Sequence, residues 1–468
     1  MRPTIKLYNT LSRKVEVFKP IKENFIGVYS CGPTVYWNQH IGNMYAYVQW
    51  DLMLRYLRYV GYKTKWVMNI TDVGHMVSDG DEGEDKMEKG AKREGVSVWD
   101  IANKYIKQFT DSLDYLNIIK PDVLCRATEH IDKQIALIKK IEKNGFTYQT
   151  KTGIVFNTAL FKDYPRFARL KLDRQDAGNR VEIDPEKKNP WDFLLWITNK
   201  PDHIMKWDSP WGKGFPGWHI ECTAMSTKYL GKQFDIHTGG IEHVGVHHTN
   251  EIAQSYGAFG KRTANFWMHN AWLLLKNEKI SKSLGNVFLV SDLIEKGYDP
   301  LSFRYLVLTS HYRKGLNFTW EGLSASQKAL FGLREKMAGF NKETKSKLRA
   351  KNDYEERFVE QIGNDLNTPK ALALMWRLLK DKSISGSEKY RLIKEFDKVL
   401  GLELTREAKT DIIPKEIVGL ADERAIAREN GDWKKSDELR DKIHNLGYSI
   451  EDTKEGQQIK RVIKCIDD

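Results

Sequence analysis

The sequence lacks a long run of apolar residues. Nowhere in its 468 residues do about 18 apolar residues follow one another, which is the length that a membrane-spanning helix needs. Residues 1–6, MRPTIK, also lack the apolar centre of a secretory signal peptide. We therefore expect a cytoplasmic protein with no membrane association.

Cysteine is scarce as well. The four cysteines, Cys31, Cys125, Cys222 and Cys465, lie far apart in the sequence, and a reducing cytosol argues against disulfide bonds between them. An isolated cysteine is most often a small buried apolar residue, and this is our interpretation of Cys125 and Cys465. Cys31 and Cys222 have neighbours that indicate another role.

Negative charge is outnumbered by positive charge. The chain has 75 Lys and Arg against 63 Asp and Glu, a formal net charge of +12 and a pI of about 9.1. This balance suits a polyanionic partner such as RNA, although many basic proteins bind no nucleic acid. The basic stretch at 334–351 is a candidate linker or RNA-facing surface. The length predicts roughly three to four domains.

Strand and helix signals alternate in the first part of the chain. Residues 25–30 are typical of a buried strand, a helix is predicted from about His40 to Gly61, and 64–70 are typical of the next strand. The order of strand, loop, helix and strand predicts a βαβ unit, and therefore an α/β fold with a parallel sheet. Residues 79–92 are so rich in charge and glycine that we predict a solvated loop there. Further helices are predicted near 97–119 and 130–144.

The middle of the chain interrupts this pattern. Residues 150–212 show no helical period and contain several prolines and glycines, so we interpret them as part of an insertion between two halves of the sheet domain. The second half contains a predicted strand at 234–237, a turn at Gly239-Gly240 and a helix from about His247.

The C-terminal part is predicted to be mainly helical. The pattern is helical from about 326, and the last segment begins near 410. This segment contains two helices joined at Gly431-Asp432 and a hairpin around Glu455-Gly456.

Two short strings carry groups that suit ATP. His40-Ile41-Gly42-Asn43 lies at a predicted helix start, where free N–H groups and the helix dipole attract phosphate. Residues 279–283, KISKS, supply lysines that can neutralise the charge of a leaving pyrophosphate. Each string alone is typical of an exposed loop. Their order, their separation of about 240 residues and the βαβ context favour a nucleotide site.

Four further residues have the chemistry of a metal site. His247 and Glu251 are four residues apart and share one face of the predicted helix. Together with Cys31 and Cys222 they form a donor set that suits Zn²⁺. The alternative is a hydrogen-bonded histidine with two core cysteines. The spacing alone favours this alternative, since the four residues are dispersed and no Cys-x-x-Cys pair occurs.

The combined motifs resemble a known family. The two ATP strings in this order are similar to the signatures of the class I aminoacyl-tRNA synthetases. The chain as a whole resembles the cysteinyl-tRNA synthetase family over nearly its whole length. The motifs that carry the resemblance are 30–36 (SCGPTVY), 69–72 (NITD), 216–222 (PGWHIEC), 247–251 (HHTNE), 267–269 (WMH), 365–369 (DLNTP) and 430–433 (NGDW).

The resemblance implies roles for individual residues. Cys31, Cys222, His247 and Glu251 match the ligands of one zinc ion per chain. The remaining residues carried over by resemblance are His40, Gly42, Asn43, Lys279 and Lys282 for ATP, Trp218 and His237 for the cysteine pocket, and Arg428, Trp433 and Asp437 for tRNA.

The resemblance also implies an activity and its partners. A cysteine–tRNA ligase uses L-cysteine, ATP with Mg²⁺, and tRNA(Cys), and we expect a monomer. The implied fold is a Rossmann-like class I catalytic domain followed by a helical bundle and a small C-terminal α+β domain. The expected segments are 1–125 (first half of the catalytic domain), 126–212 (connective insertion), 213–265 (second half), 266–325 (stem-contact region with the KISKS loop), 326–409 (helical bundle) and 410–468 (anticodon-binding domain).

Some features depart from the family pattern. Ile280 stands where methionine is more usual, and Glu242 stands where aspartate is more usual, which leaves its role near the substrate open. Two other functions also stay open. One is a ligase that passes cysteinyl adenylate to an amino sugar but lacks the final domain. The other is a zinc-binding paralogue without catalysis, which is expected to have lost an ATP signature.

Overall fold

The structure is a computed structural model that describes residues 2–74, 85–170, 186–275, 278–279, 287–340, 353–406, 415–446, 448–453 and 456–461. Predictions on Lys282, Cys465, residues 79–84 and the basic residues 341–351 therefore lie outside the described residues. The strands are β1 (Lys6–Asn9), β2 (Lys14–Val17), β3 (Phe25–Ser30), β4 (Lys63–Ile70), β5 (Val123–Arg126), β6 (Thr147–Gln149), β7 (Gly153–Phe156), β8 (Phe193–Ile197), β9 (Phe215–Pro216), β10 (Phe234–Gly240), β11 (Ala264–Asn270), β12 (Leu273–Leu275), β13 (Glu278–Lys279), β14 (Leu316–Phe318), β15 (Tyr448–Thr453) and β16 (Gly456–Arg461). The helices are α1 (Ile41–Tyr59), α2 (Lys86–Glu94), α3 (Val98–Tyr115), α4 (Ile131–Lys143), α5 (Trp218–Leu230), α6 (His247–Phe259), α7 (Val290–Glu295), α8 (Pro300–Leu308), α9 (Trp320–Ala338), α10 (Asp353–Gly363), α11 (Thr368–Lys380), α12 (Gly386–Leu400), α13 (Lys415–Glu429) and α14 (Trp433–Asn445).

A parallel sheet organises the first half of the chain. Within the described residues it has five strands in the order β11-β10-β3-β4-β5, and each neighbouring pair is parallel. The chain moves outward from β3 to β4 on one side and returns to β10 on the other, so the strand order reverses beside β3. Such a reversal opens a crevice at the carboxyl ends of the strands. The predicted α/β class with a parallel sheet is confirmed.

Helices bury both faces of this sheet. Side chains alternate along a strand, so Val28 and Trp66 pack with α1 and α3, whereas Tyr29 and Val67 pack on the opposite face with α4, α5 and α6. This double burial explains why the strand sequences read as continuous apolar runs. The core on the α1 side continues into α10, α11 and α12, so the sheet and the helical bundle share one core.

A second sheet has three strands in the predicted insertion, 126–212, and its fourth strand just beyond it. Strands β6, β7, β8 and β9 form successive antiparallel pairs. Its last strand, β9, ends directly before Gly217 and α5. The insertion therefore leads straight back into the parallel sheet domain. Near the C-terminus, β15 and β16 form the predicted hairpin after the predicted helix pair α13 and α14.

Two local predictions were wrong. Residues 86–92, predicted as part of a solvated loop, belong to helix α2, because a cap at Asp85 and the buried Met87 and Ala91 outweigh the charged composition. Gly239 and Gly240, predicted as a turn, end strand β10. A side chain at Gly239 would come within 2.6 Å of His243 Nδ1, so the glycine marks a close approach to the backbone rather than a turn.

No helix in the described part of the chain is both long and apolar enough to span a membrane.

A buried ion pair joins the sheet domain to the bundle. Arg304 of α8 is fully buried and pairs with the buried Asp51 of α1. Its Nε donates to the Leu400 carbonyl oxygen at 2.7 Å, and its Nη1 donates to that of Leu116 at 3.0 Å. The guanidinium thus ties together the ends of α3 and α12, which lie far apart in sequence.

We expect Arg304→Met to be strongly destabilising, because it leaves the Asp51 carboxylate buried with fewer partners. Breaking a buried pair in this way costs about 3–5 kcal/mol. A large fall in the urea midpoint or in Tm checks this expectation. Lys107→Met is the control, since it removes an exposed pair with Asp111 and should leave Tm nearly unchanged. Equal midpoints for the two variants would contradict the role of Arg304.

Candidate active site and metal centre

A cavity of about 490 Å³ opens at the carboxyl ends of the parallel strands. Its walls include Cys31 after β3, Thr71 after β4, Gly240 at the end of β10 and Asn270 at the end of β11. This is the crevice that the reversal of strand order creates. A larger groove of about 1000 Å³, beside Arg2 and Glu355, contains none of the predicted site residues.

The first ATP string forms one wall of this cavity. His40 is the N-cap of α1, and the Asn43 side chain accepts a hydrogen bond from the His40 backbone N–H at 3.2 Å. His40, Gly42 and Asn43 all line the cavity. The predicted helix start is therefore correct, and the positive end of the α1 dipole is directed to this site.

The segment after the second ATP string contacts the same helix start. The N–H of Ile41 donates to the Phe288 carbonyl oxygen at 2.8 Å. Lys279 lies in β13, which pairs with β12, and Lys282 lies outside the described residues. The contact at Phe288, five residues beyond Ser283 in sequence, brings the surroundings of the two strings together although about 240 residues separate them.

The four predicted metal ligands converge. One donor atom each from Cys31, Cys222, His247 and Glu251 lies within 4.8 Å of the others. Cys31 follows β3 and Cys222 lies in the second turn of α5. His247 and Glu251 lie in the first and second turns of α6. Oε1 of Glu251 is buried and accepts no hydrogen bond of good geometry, although His247 Nε2 lies 3.2 Å from it. The group has the donor chemistry and the unsatisfied atom that a cation site requires.

A second donor group overlaps the first. Cys31, His237, His248 and Glu251 also lie within 4.8 Å of one another. Cys31, Cys222 and His247 line the cavity, whereas His237 and His248 do not. The first group therefore has three of its four residues on the cavity wall and the second group only Cys31, and the first is the group with two sulfur donors.

The electrostatics of the cysteines favour a cation as partner. Burial raises the pKa of the Cys31 thiol well above its usual range, and the neighbouring Cys222 and Glu251 raise it further. Burial also raises the pKa of Cys222. Ionised sulfur at these positions requires a positive charge to offset both the burial and the adjacent anions.

Buried histidines that the sequence reasoning missed surround the donors. His248 Nε2 lies 3.2 Å from Cys31 Sγ, and His248 Nδ1 lies 2.7 Å from His269 Nε2. His219 Nδ1 lies 2.9 Å from His247 Nδ1, so it orients the His247 ring with Nε2 toward Glu251. Burial holds the pKa values of His248 and His269 well below the usual range. Their only sequence signal was their place inside the quoted motifs.

The two residues predicted for the amino-acid pocket lie at different depths. Trp218 lines the cavity, and its ring centroid is 4.5 Å from that of His247. His237 is fully buried, and its Nε2 lies 2.9 Å from Glu251 Oε2. Glu242, whose role was open, lines the cavity and accepts a hydrogen bond from Trp272 Nε1 at 2.9 Å.

The three residues predicted to contact tRNA lie on the C-terminal helix pair. Trp433 is 60% exposed, so its ring is accessible on the surface of the helix pair. The Arg428 guanidinium lies 5.3 Å from the Trp433 ring centroid, and Asp437 pairs with Arg440 at 3.1 Å. The sequence reasoning missed Arg424, which is buried and ion-pairs with Asp452 of β15.

Two protein families match this chain, one over its N-terminal part and one near its C-terminus. The family described as "tRNA synthetases class I (C) catalytic domain" matches residues 17–328. The family described as "Cysteinyl-tRNA ligase anticodon binding domain" matches residues 412–459. The second match includes the helix pair and most of the C-terminal hairpin.

Curated relatives match along nearly the whole chain. The cysteine–tRNA ligase of Treponema denticola is 43% identical over 481 aligned residues, covering 96% of this chain and 98% of the relative. Cysteine–tRNA ligase 1 of Burkholderia lata is 46% identical and covers 97% and 96%. The cysteine–tRNA ligase of Thermus thermophilus is 40% identical and covers 96% and 98%.

A solved structure shares the fold. Mycobacterium tuberculosis methionyl-tRNA synthetase in complex with methionyl-adenylate gives a TM-score of 0.54, at 14% identity, over 81% of this chain and 90% of that chain. At this identity the similarity concerns the fold alone. With a catalytic-domain match over residues 17–328 and relatives at 40–46% identity over nearly its whole length, the chain belongs to the cysteinyl-tRNA synthetases, the class I cysteine–tRNA ligases.

Proposed function

We propose that this chain activates L-cysteine with ATP, transfers the cysteinyl group to the 3′-terminal adenosine of tRNA(Cys), and selects cysteine with a zinc ion. The observation that carries the proposal is the cavity itself. Cys31, Cys222 and His247 line it together with His40 and Asn43. A thiol-binding centre and a phosphate-binding helix start thus face one volume, which is what joining cysteine to ATP requires.

Zn²⁺ fits the donor group better than other common cations. Two sulfurs, one imidazole and one carboxylate suit Zn²⁺, whereas Mg²⁺ prefers oxygen ligands alone. Cys31, Cys222, His247 and Glu251 would hold the ion, and His219 would keep the His247 ring in place. When bound, Zn²⁺ would supply a site that prefers the sulfur of cysteine to the hydroxyl of serine, a distinction that pocket shape alone makes poorly.

The first step joins the two substrates. A carboxylate oxygen of cysteine attacks the α-phosphorus of ATP. As the new oxygen–phosphorus bond forms, the bond from that phosphorus to the bridging oxygen breaks, and pyrophosphate leaves with the electron pair. His40, Asn43 and the N-terminal end of α1 stabilise the growing negative charge, and Mg²⁺ accompanies the ATP phosphates. Lys279 and Lys282 are proposed to neutralise the charge of the leaving pyrophosphate.

The second step transfers the acyl group to tRNA. A hydroxyl oxygen of the terminal ribose attacks the acyl carbon, AMP leaves with the electron pair of the broken carbon–oxygen bond, and the hydroxyl proton passes to the leaving phosphate. For the anticodon end we propose contacts from Arg428, Trp433 and Asp437. The exposed Trp433 offers a stacking face, and the residues 412–459 match the anticodon-binding family.

We expect Cys222→Ser to lose zinc and cysteine-dependent ATP–pyrophosphate exchange together, because an alcohol replaces one soft donor. Metal analysis of the purified protein and the exchange assay measure the two effects. Cys125→Ala is the matched control, since Cys125 is equally buried but lies outside the donor group. Wild-type exchange in metal-free protein would contradict the role of zinc.

Substitutions of His247 and His248 distinguish which of the two overlapping donor groups holds the ion. If Cys222 and His247 hold the ion, His247→Ala abolishes zinc binding, whereas His248→Ala acts only through hydrogen bonds. Loss of such an outer partner lowers metal affinity by about 10–100-fold, so His248→Ala should still fill with zinc at saturating metal. A metal titration of both variants checks this. The reverse order of effects would assign the ion to the second group.

Transfer to tRNA separates this proposal from an amino-sugar ligase. We expect Trp433→Ala to raise the KM for tRNA by about tenfold, consistent with a loss of about 1–3 kcal/mol of base stacking, and to leave pyrophosphate exchange unchanged. Trp99, another exposed tryptophan (44% exposed), provides the control variant Trp99→Ala. Cysteine transfer to a free amine with no aminoacylation of tRNA by the wild-type protein would overturn the second step.

A further inference from the structure

The described residues that line the cavity include one lysine and no arginine. The lysine is Lys86, the first residue of α2. Its Nζ lies 5.8 Å from the centroid of the Trp218 ring, and that ring contacts the His247 ring with centroids 4.5 Å apart. The Lys86 ammonium therefore lies on the side of the cavity that holds the proposed metal ligands.

The start of α2 is fixed by a buried carboxylate. Asp85 is 6% exposed, and its Oδ1 accepts a hydrogen bond from the Glu88 N–H at 2.8 Å, which caps the helix. The backbone at Gly74 passes so close that a side chain there would come within 1.8 Å of Asp85 Oδ2. The cap thus holds Lys86 at a defined position rather than on a free loop.

The same carboxylate binds a histidine from the insertion. Oδ2 of Asp85 lies 3.0 Å from His203 Nε2, while His203 Nδ1 lies 2.9 Å from the Met205 carbonyl oxygen. Both ring nitrogens of His203 are thus held, one by the Asp85 carboxylate and the other by a backbone carbonyl. Oε1 of Glu88 accepts from the Ile204 N–H at 2.7 Å. We call these contacts of Asp85, Glu88 and His203 the α2 clamp.

The α2 clamp also contacts β9, the strand that leads to Trp218. The His203 ring stacks on Phe215, with centroids 3.8 Å apart and planes 10° apart. Phe215 belongs to β9, three residues before Trp218 in the chain. The donor atoms of Asp85, Glu88 and His203 lie within 4.8 Å of one another, and the hydrogen bonds above already engage each side chain. The cluster therefore acts as a clamp that sets Lys86 against Trp218.

We propose that Lys86 is a catalytic residue of cysteine activation, and that the α2 clamp positions it. This proposal rests on the proposed function. The Lys86 ammonium binds the carboxylate of cysteine and stays beside its oxygen while that oxygen bonds to the α-phosphorus and pyrophosphate departs with its electron pair. Lys86 keeps its protons throughout, so it acts as a fixed positive charge and not as an acid.

Substitution of Lys86 tests the direct role. We expect Lys86→Met to lower kcat/KM for cysteine in ATP–pyrophosphate exchange by about 100-fold, the usual loss for one donor to a transition-state charge. The KM for ATP should change little. Lys86→Arg should recover part of the loss, and zinc content should stay at the wild-type level. Lys92→Met is the control, because Lys92 lies on the same helix but is exposed and away from the cavity.

A double-mutant cycle tests the positioning role. We expect Asp85→Asn to lower kcat about tenfold in the wild-type background, because a weaker cap and a weaker bond to His203 would hold Lys86 less firmly, and losing a group that orients a functional side chain costs at least about this factor. In the Lys86→Met background the same change should have no further effect on kcat, because its target is gone. A merely structural Asp85 would lower activity by the same factor in both backgrounds. His203→Gln serves as a second variant if Asp85→Asn folds poorly.

The outcomes separate this inference from the function on which it rests. An inactive, zinc-loaded wild-type protein overturns both. An active wild-type protein with Lys86→Met within threefold of it overturns the role of Lys86 alone. An increase in the KM for ATP alone places Lys86 on the nucleotide and also overturns the proposal. Multiplicative effects in the cycle overturn the positioning role of the α2 clamp.

Discussion

Two thiols and a carboxylate share one buried point at the edge of the parallel sheet. Cys31, Cys222 and Glu251 are all potential anions, and burial together with the nearby Glu251 carboxylate raises the pKa of both thiols. An arrangement of this kind stabilises a protein only when a cation offsets the charges. The zinc ion that we propose at this point would turn an electrostatic conflict into a binding site for sulfur.

The surroundings of this point follow from that constraint. The donors come from separate elements, because the carboxyl end of β3 and the first two turns of α5 and α6 meet where the strand order reverses. Histidines fill the space behind them, and burial holds the pKa values of His248 and His269 well below the usual range. Gly239 leaves room for these rings to approach the backbone, and a larger residue there would displace His243 or His248.

The rest of the fold supports the same cavity from outside. The contact between Ile41 and Phe288 joins the start of α1 to the segment after the second ATP string. The buried Arg304 ties α1 to the helical bundle. The insertion leads through β9 into Trp218, and its His203 contacts Asp85 at the start of α2. The sheet domain, the insertion and the helical bundle therefore all help to hold the cavity wall in place, which is the preorganisation that charge-stabilising catalysis needs.

Sequence alone determined the parallel sheet, because a strand buried on both faces and the breaker at Gly61 leave strong local signals. It also indicated both ATP strings and, through family resemblance, the four residues whose donor atoms the structure brings together. Tertiary structure decided what has no local signal. Residues 86–94 form a helix that Asp85 caps, and Gly239 lies in a strand whose backbone the His243 and His248 rings approach closely. His203 lies within hydrogen-bond distance of Asp85 across 118 residues. Contacts between distant segments depend on the packing of the whole chain, and no spacing within one segment encodes them.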